Sequence, residues 1–423
     1  MTDTHAFPHL LLVLAALLTT AKLLGALAQR VGQPAVLGEL IAGMILGASV
    51  LGLLDPTEPV IHALSELGVI VLLFEIGLHT NLRAMAKVAG TATTVGLVGV
   101  ILPFALGYYA ASAVLGFDRI PALVCGAALT ATSIGISARV LADLGQLDSR
   151  EGQVVLGAAV LDDVVGLIVL SVVSSIALGG TWTVSSITVT TALAIGFIVV
   201  ALTLGRFLAR PVFSSLRTIR TSGTLGVVAL AFAFLLSSLA ATAGSAMIIG
   251  AFAAGVILHG SAERAEIDRA ATTIGHFLVP IFFATVGASV QLSAFMDART
   301  LAAGGLLILV GVVGKFVAAY APWRFKGNKK LIGVAMIPRG EVGLIFAQMG
   351  LSTKAITPAI FSALTLMVVV TTFMAPPLLA LVGKGQPSGP GDPSGEGGID
   401  DLVAGDWGDE PIVGAEPRDQ LKQ

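Results

Sequence analysis

The feature that most constrains this chain is a repeated one. Apolar runs of roughly 20 residues, the length that carries an α-helix across a bilayer core, follow one another from end to end. About thirteen such runs can be read, bounded by charges, prolines or glycine clusters. They lie near 9–28, 34–53, 60–78, 89–115, 120–138, 152–178, 185–205, 222–243, 245–259, 271–290, 301–322, 331–350 and 356–382. The runs are long and lack strand alternation, which argues against a β-barrel. The first is read as a true span rather than a cleaved leader, because it is long, has no basic start and contains Lys22. Only 12% of the 423 residues are charged, against about 25% in soluble domains. That balance excludes a nucleic-acid binder and a disordered chain. The single cysteine, Cys125, excludes a disulfide-stapled secreted domain. The expectation is an all-α polytopic membrane protein.

Orientation is read from basic residues in short loops. With an odd number of spans and a cytoplasmic C-terminus, sixteen Lys and Arg residues fall on the cytoplasmic side. They include Arg30, Arg139, Arg150, Arg264 and Lys384. Three, Arg119, Arg299 and Lys354, fall outside. The sequence therefore divides into a membrane transport domain, 1–384, and a tail, 385–423. The tail holds nine acidic and two basic residues among Pro and Gly. Such a segment buries too little apolar surface to fold alone and reads as a disordered, solvated, cytoplasmic tail.

Ionisable groups at membrane depth are costly, so they mark function. Asp162 and Asp163 sit side by side in GAAVLDDVVGLIVL, near the middle of a long span. Neighbours on a helix are rotated by roughly 100°, so both can border one cavity but cannot face one partner helix squarely. Two close carboxylates resist ionising together. That suits a site that trades protons for cations. Lys315, in GVVGKFVAAY, lies deep in a later span and needs a carboxylate partner. Asp162 or Asp163 is the natural one. Arg339 and Glu341 stand in AMIPRGEVGLIFAQ, where Pro338 and Gly340 interrupt the helix. The fifth run has a matching interruption, LTATSIGISARV, with Thr130, Thr132, Ser133 and Ser137 around Gly135. Two interrupted spans in corresponding halves of a chain point to a transporter binding site.

Weaker features complete the reading. Glu39, Glu66 and Glu75 lie within or at the ends of early spans, the last two read as interfacial. Gly43 and Gly47 have the spacing of a close helix contact. His62, His79, His259 and His276 are scattered and have no metal-ligand spacing. No Walker A loop is present, so transport driven by the chain's own ATP hydrolysis is unsupported.

Several of these stretches together resemble the monovalent cation:proton antiporter superfamily, in particular its NapA-type bacterial sodium/proton exchangers. The resemblance covers roughly residues 10–382 and rests on QPAVLGELIAGMILG, ELGVIVLLFEIGL, ALTATSIGISARVL, GAAVLDDVVGLIVL, PIFFATVGASV and IPRGEVGLIFA. It implies thirteen helices in two inverted repeats, with two crossing broken helices, and a core domain moving against a dimerisation domain. By position, Asp163 matches the aspartate that alternates between proton and sodium. Asp162, a possible further cation ligand, matches its neighbour, and Lys315 matches the lysine paired with that neighbour. The broken helices match Thr132–Ser133 and Pro338, Arg339 and Glu341.

The resemblance implies electrogenic sodium (or lithium)/proton antiport, a role in pH homeostasis, a homodimer, and a place in the cell (inner) membrane with the N-terminus outside. No cofactor is implied; the transported ions are sodium (or lithium or potassium) and protons. Potassium/proton antiport is the alternative within the superfamily. Sodium-coupled symport of an organic anion is an alternative of another class. An intramembrane aspartyl protease is disfavoured, because its two aspartates face each other from separate helices; the chain is read as no enzyme.

Overall fold

The computed structural model describes residues 6–177, 184–205, 223–290 and 297–383, with positions 207 and 213. The tail from 385 lies outside the described residues. Every extended element among the described residues is a helix: α1 Ala6–Arg30, α2 Ala35–Leu46, α3 Pro59–His79, α4 Leu82–Tyr109, α5 Arg119–Ala128, α6 Ile134–Asp143, α7 Arg150–Ala177, α8 Val184–Val200, α9 Thr224–Thr242, α10 Met247–Leu258, α11 Arg264–Ala288, α12 Ala298–Ala318, α13 Lys329–Ala335, α14 Glu341–Ser352 and α15 Pro358–Gly383. Both α4 and α8 end in a π-turn, at Ala110–Val114 and Ala201–Gly205.

Several helix starts follow directly from the sequence. Glu58 accepts a hydrogen bond from the Ile61 N–H at 2.9 Å, with Pro59 in the first turn of α3. Asn81 accepts from Arg83 N–H, Asp297 from Thr300 N–H and Asn328 from Leu331 N–H, so α4, α12 and α13 are capped in the same way.

Eight helices are long and apolar enough to cross a membrane by length and composition, and five shorter apolar helices accompany them. The expected runs at 34–53, 120–138, 245–259 and 331–350 are shorter helices than the sequence suggested. The chain turns after α2 at Gly47, and Gly52 takes a left-handed φ of 62° in that turn. Gly244, at φ 74°, separates α9 from α10. By contrast α11 runs unbroken through Pro280 and starts earlier than the sequence reading placed it.

Large apolar side chains face outward, among them Leu11, Leu12, Leu23 and Leu27 along α1, while charged residues are buried inside. That inversion fits a lipid surround. Inside, small residues set the helix spacing. A side chain at Gly43 would collide with the Ala284 carbonyl, and one at Gly287 with the Leu40 carbonyl, so α2 and α11 meet backbone to backbone. The Gly43/Gly47 pair is thus used within the chain. Gly77 and Gly255 weld α3 to α10 similarly. Another tight bundle joins α4, α7 and α12.

Candidate functional site: two crossing interruptions beside an aspartate pair

The α5/α6 and α13/α14 segments are two helices interrupted near their middles, at 129–133 and 336–340. The two breaks cross and bond to each other. Ser133 N–H donates to the Pro338 carbonyl at 2.8 Å, and the Ser137 hydroxyl donates to the Ala335 carbonyl. Gly340 comes so close to Ser133 that a β-carbon there would lie 2.7 Å from its hydroxyl oxygen. Non-helical backbone at membrane depth survives where protein supplies its partners. Arg339 supplies another. It is fully buried, and its guanidinium donates to the Ala131 carbonyl at 2.7 Å and the Gly311 carbonyl at 3.4 Å. Its own carbonyl accepts from the Thr372 hydroxyl on α15. Arg339 therefore joins both breaks to α12 and α15. The backbone of Glu341 opens α14, and its side chain lies outside the described positions.

The adjacent aspartates stand in the middle of α7 and face different neighbours. Asp162 meets Lys315 of α12, whose Nζ donates to Oδ2 at 2.9 Å and to Oδ1 at 3.1 Å. Both side chains are 0% exposed. The lysine packs against α4: a β-carbon at Gly99 would lie 3.6 Å from its Cδ and Nζ, in ordinary contact. The lysine is held inward and does not snorkel to an interface. Asp163 is buried too, but lines a cavity with Thr132, Ser133, Gly135, Phe282 and Gly340. Its free space, about 20 Å³, has room for one or two water-sized particles. The Thr132 hydroxyl, 3% exposed, has no hydrogen-bond partner among the described residues. A carboxylate and an unpartnered hydroxyl around so small a space suit a bare monovalent cation or a proton in its place.

The structure also gathers charged groups that the sequence reading left scattered. At the end of the bundle where α3 finishes and α11 starts, Arg139 of α6 pairs with Asp143 at 3.2 Å. Glu39 of α2 and Glu75 of α3 lie in its field. Glu39 is 3% exposed, so it is neither a loop charge nor a surface one. Glu75 was expected at an interface, yet it packs beside Gly275 of α11. His79 meets Asp268 at 3.0 Å and Arg264 at 3.2 Å. Arg139 was counted with the cytoplasmic loops; it sits instead on the second half of a broken helix. The i, i+4 spacing of Arg139 and Asp143 was the available signal.

Interrupted helices that cross beside buried carboxylates are the build of an ion-coupled secondary transporter. Comparison with known proteins narrows the class. A family model described as "Sodium/hydrogen exchanger, transmembrane" matches residues 13–384. The chain is 40% identical over 427 residues to the high-affinity Na(+)/H(+) antiporter NhaS3 of Synechocystis, covering 91% of this chain and 93% of that one. It is 33% identical over 371 residues to the Na(+)/H(+)-K(+) antiporter GerN of Bacillus cereus, covering 86% and 94%. Its fold matches that of the sodium proton antiporter MjNhaP1 of Methanocaldococcus jannaschii, with a TM-score of 0.65 at 18% identity over 89% of this chain and 98% of that one. The chain belongs to the sodium/hydrogen exchanger family.

Proposed function

We propose that this chain exchanges sodium for protons across the cell membrane by competition at Asp163. The observation that carries the reading is the division of labour on α7: one aspartate is held by Lys315, and its neighbour lines a small cavity with Thr132 and Ser133. A proton or a sodium ion on Asp163 leaves the site nearly neutral. The bare carboxylate is costly to move through an apolar middle. That asymmetry couples the two fluxes. Loading with sodium requires the proton to leave Asp163, so exchange rises as pH rises through that titration. Thr132 and Ser133 supply the hydroxyl ligands, while Pro338, Arg339 and Glu341 shape the crossing. Asp162 serves as a further carboxylate next to the ion.

The supporting picture has α3 starting on the outside, the Arg139 cluster facing the cytoplasm, thirteen spans in two inverted repeats and a homodimer. The basic-residue bias favours this orientation. Similarity to a sodium/proton antiporter and to a sodium/proton-potassium antiporter makes the cation choice a real question. Hydroxyl and carboxylate oxygens bind either ion.

The test uses purified protein in liposomes with an internal pH dye. Sodium or lithium added to the wild type collapses an imposed pH gradient, and Asp163→Asn abolishes the response. Robust exchange by that variant ends the single-site reading. A panel of lithium, sodium and potassium fixes the selectivity. Lys315→Gln is expected to exchange without carrying net current, as the electrogenic reading requires of the residue that supplies the extra charge.

A further inference from the structure

A second and larger cavity opens on the face where α3 begins. It encloses about 160 Å³, room for about ten water molecules. Its lining comes from α3, α11, α14 and α15. Five hydroxyls line it, those of Ser65, Thr285, Ser289, Thr365 and Thr372, and the last four have already committed their protons. Thr285 donates to the Ile281 carbonyl at 2.8 Å and Ser289 to the Thr285 carbonyl at 3.0 Å. Thr365 donates to the Phe361 carbonyl at 2.9 Å and Thr372 to the Arg339 carbonyl. A hydroxyl has one proton and two lone pairs. With the proton spent on backbone, each oxygen can only accept. At the mouth stands Glu66, its side chain 45% exposed, with His62 at 3.8 Å. Beside the Ser65 hydroxyl and the His62 ring, the space thus holds four oxygens that can only accept and one carboxylate, the chemistry of a partly hydrated cation.

The cavity also has a defined floor. Val69, Phe282, Val286 and Gly340 line both it and the small Asp163 cavity. Three apolar side chains and one bare backbone position thus stand between the larger cavity and the small one. An ion passing between them must shed most of its water, so a place to hold it beforehand has a use.

We propose that this vestibule is a second cation site, which loads a partly hydrated monovalent cation through Glu66 and the hydroxyl oxygens of α11 and α15 before it reaches Asp163. The inference rests on the antiport reading for its purpose but not for its binding. Two experiments separate them. The first is sodium NMR relaxation on detergent-purified Asp163→Asn protein. It retains a weak, saturable sodium signal, and adding Glu66→Gln removes it. The second is exchange from each side of oriented vesicles, with ionic strength fixed by choline. Glu66→Gln raises the KM for sodium on the α3-start side by about threefold or more and leaves the KM on the other side alone.

Thr365→Val keeps the charge and most of the shape, and is expected to shift the same KM in the same direction. Its effect marks coordination rather than long-range attraction. The proposal is overturned if the Asp163→Asn protein binds no sodium. It is equally overturned if Glu66→Gln and Thr365→Val leave both KM values at wild type or shift both sides equally. If Asp163→Asn itself still exchanges, the single-site antiport reading fails while the relaxation result continues to judge the vestibule.

Discussion

Asp162 and Asp163 are sequence neighbours that live in two different regions of the molecule. Around Asp162 the protein is closed: Lys315 takes both carboxylate oxygens, and Gly99 of α4 packs beside the lysine side chain. Around Asp163 it is looser, with a small cavity, the unpartnered Thr132 hydroxyl, and four lining residues shared with the vestibule. The roughly 100° between successive helix residues is enough to give identical side chains opposite tasks. A carboxylate that lines a cavity is placed to exchange what it binds. One whose partner is a fixed cation is structural.

The largest effect is expected on the closed side of this comparison. Asp162→Asn and Lys315→Gln each leave one buried charge without its partner, which costs about 3–5 kcal/mol. The double variant recovers most of that loss. Thermal unfolding of the three proteins in detergent measures the coupling, and strictly additive losses would erase the distinction between the two aspartates. A smaller effect is expected where the open region meets the crossing. Gly340→Ala places a methyl 2.7 Å from the Ser133 hydroxyl oxygen and 2.8 Å from its Cβ. Overpacking of this kind costs about 1–3 kcal/mol. The liposome assay should show slower exchange with the cation preference unchanged, and a wild-type rate would show that the two breaks part freely.

The smallest effect concerns a carboxylate outside the bilayer, where solvent does most of the work. Asp297 caps α12, and the Thr300 hydroxyl and then the Thr300 N–H hold its carboxyl below the usual carboxylate range. Its contribution is therefore present above the ordinary carboxylate range and is lost as pH falls through the lowered value. Amide exchange in the first turn of α12 should quicken on acidification, and Asp297→Asn should remove that pH dependence. A pH-independent first turn in the wild type would contradict the capping account.

Much of this was legible in the sequence. Asp162, Asp163 and Lys315 stand out because charges in apolar runs are rare, and the structure brings Asp162 and Lys315 together. Pro338 and Gly340 announced one break, and the Thr/Ser cluster announced the other. Other features were hidden for physical reasons. Arg139 lies near enough to a loop that its half-buried place on α6 has no one-dimensional mark. Glu39 and Glu75 acquire neighbours only when α2, α3 and α11 pack together. Thr285, Thr365 and Thr372 look like ordinary helix hydroxyls, because donation to a backbone carbonyl is common and a shared cavity wall is a three-dimensional fact. Span length was overestimated at α2, where a glycine turn ends the helix inside an apolar run.

The glycine welds between α2 and α11, and between α3 and α10, have a mechanical consequence. Surfaces in backbone contact have no side chains to re-pack, so they cannot slide without a clash. On the alternating-access reading these four helices would behave as stiff pairs, and any stroke would be taken up at a softer seam. The vestibule between α3 and α15, held apart by space rather than by contact, is the hinge line such pairs would use.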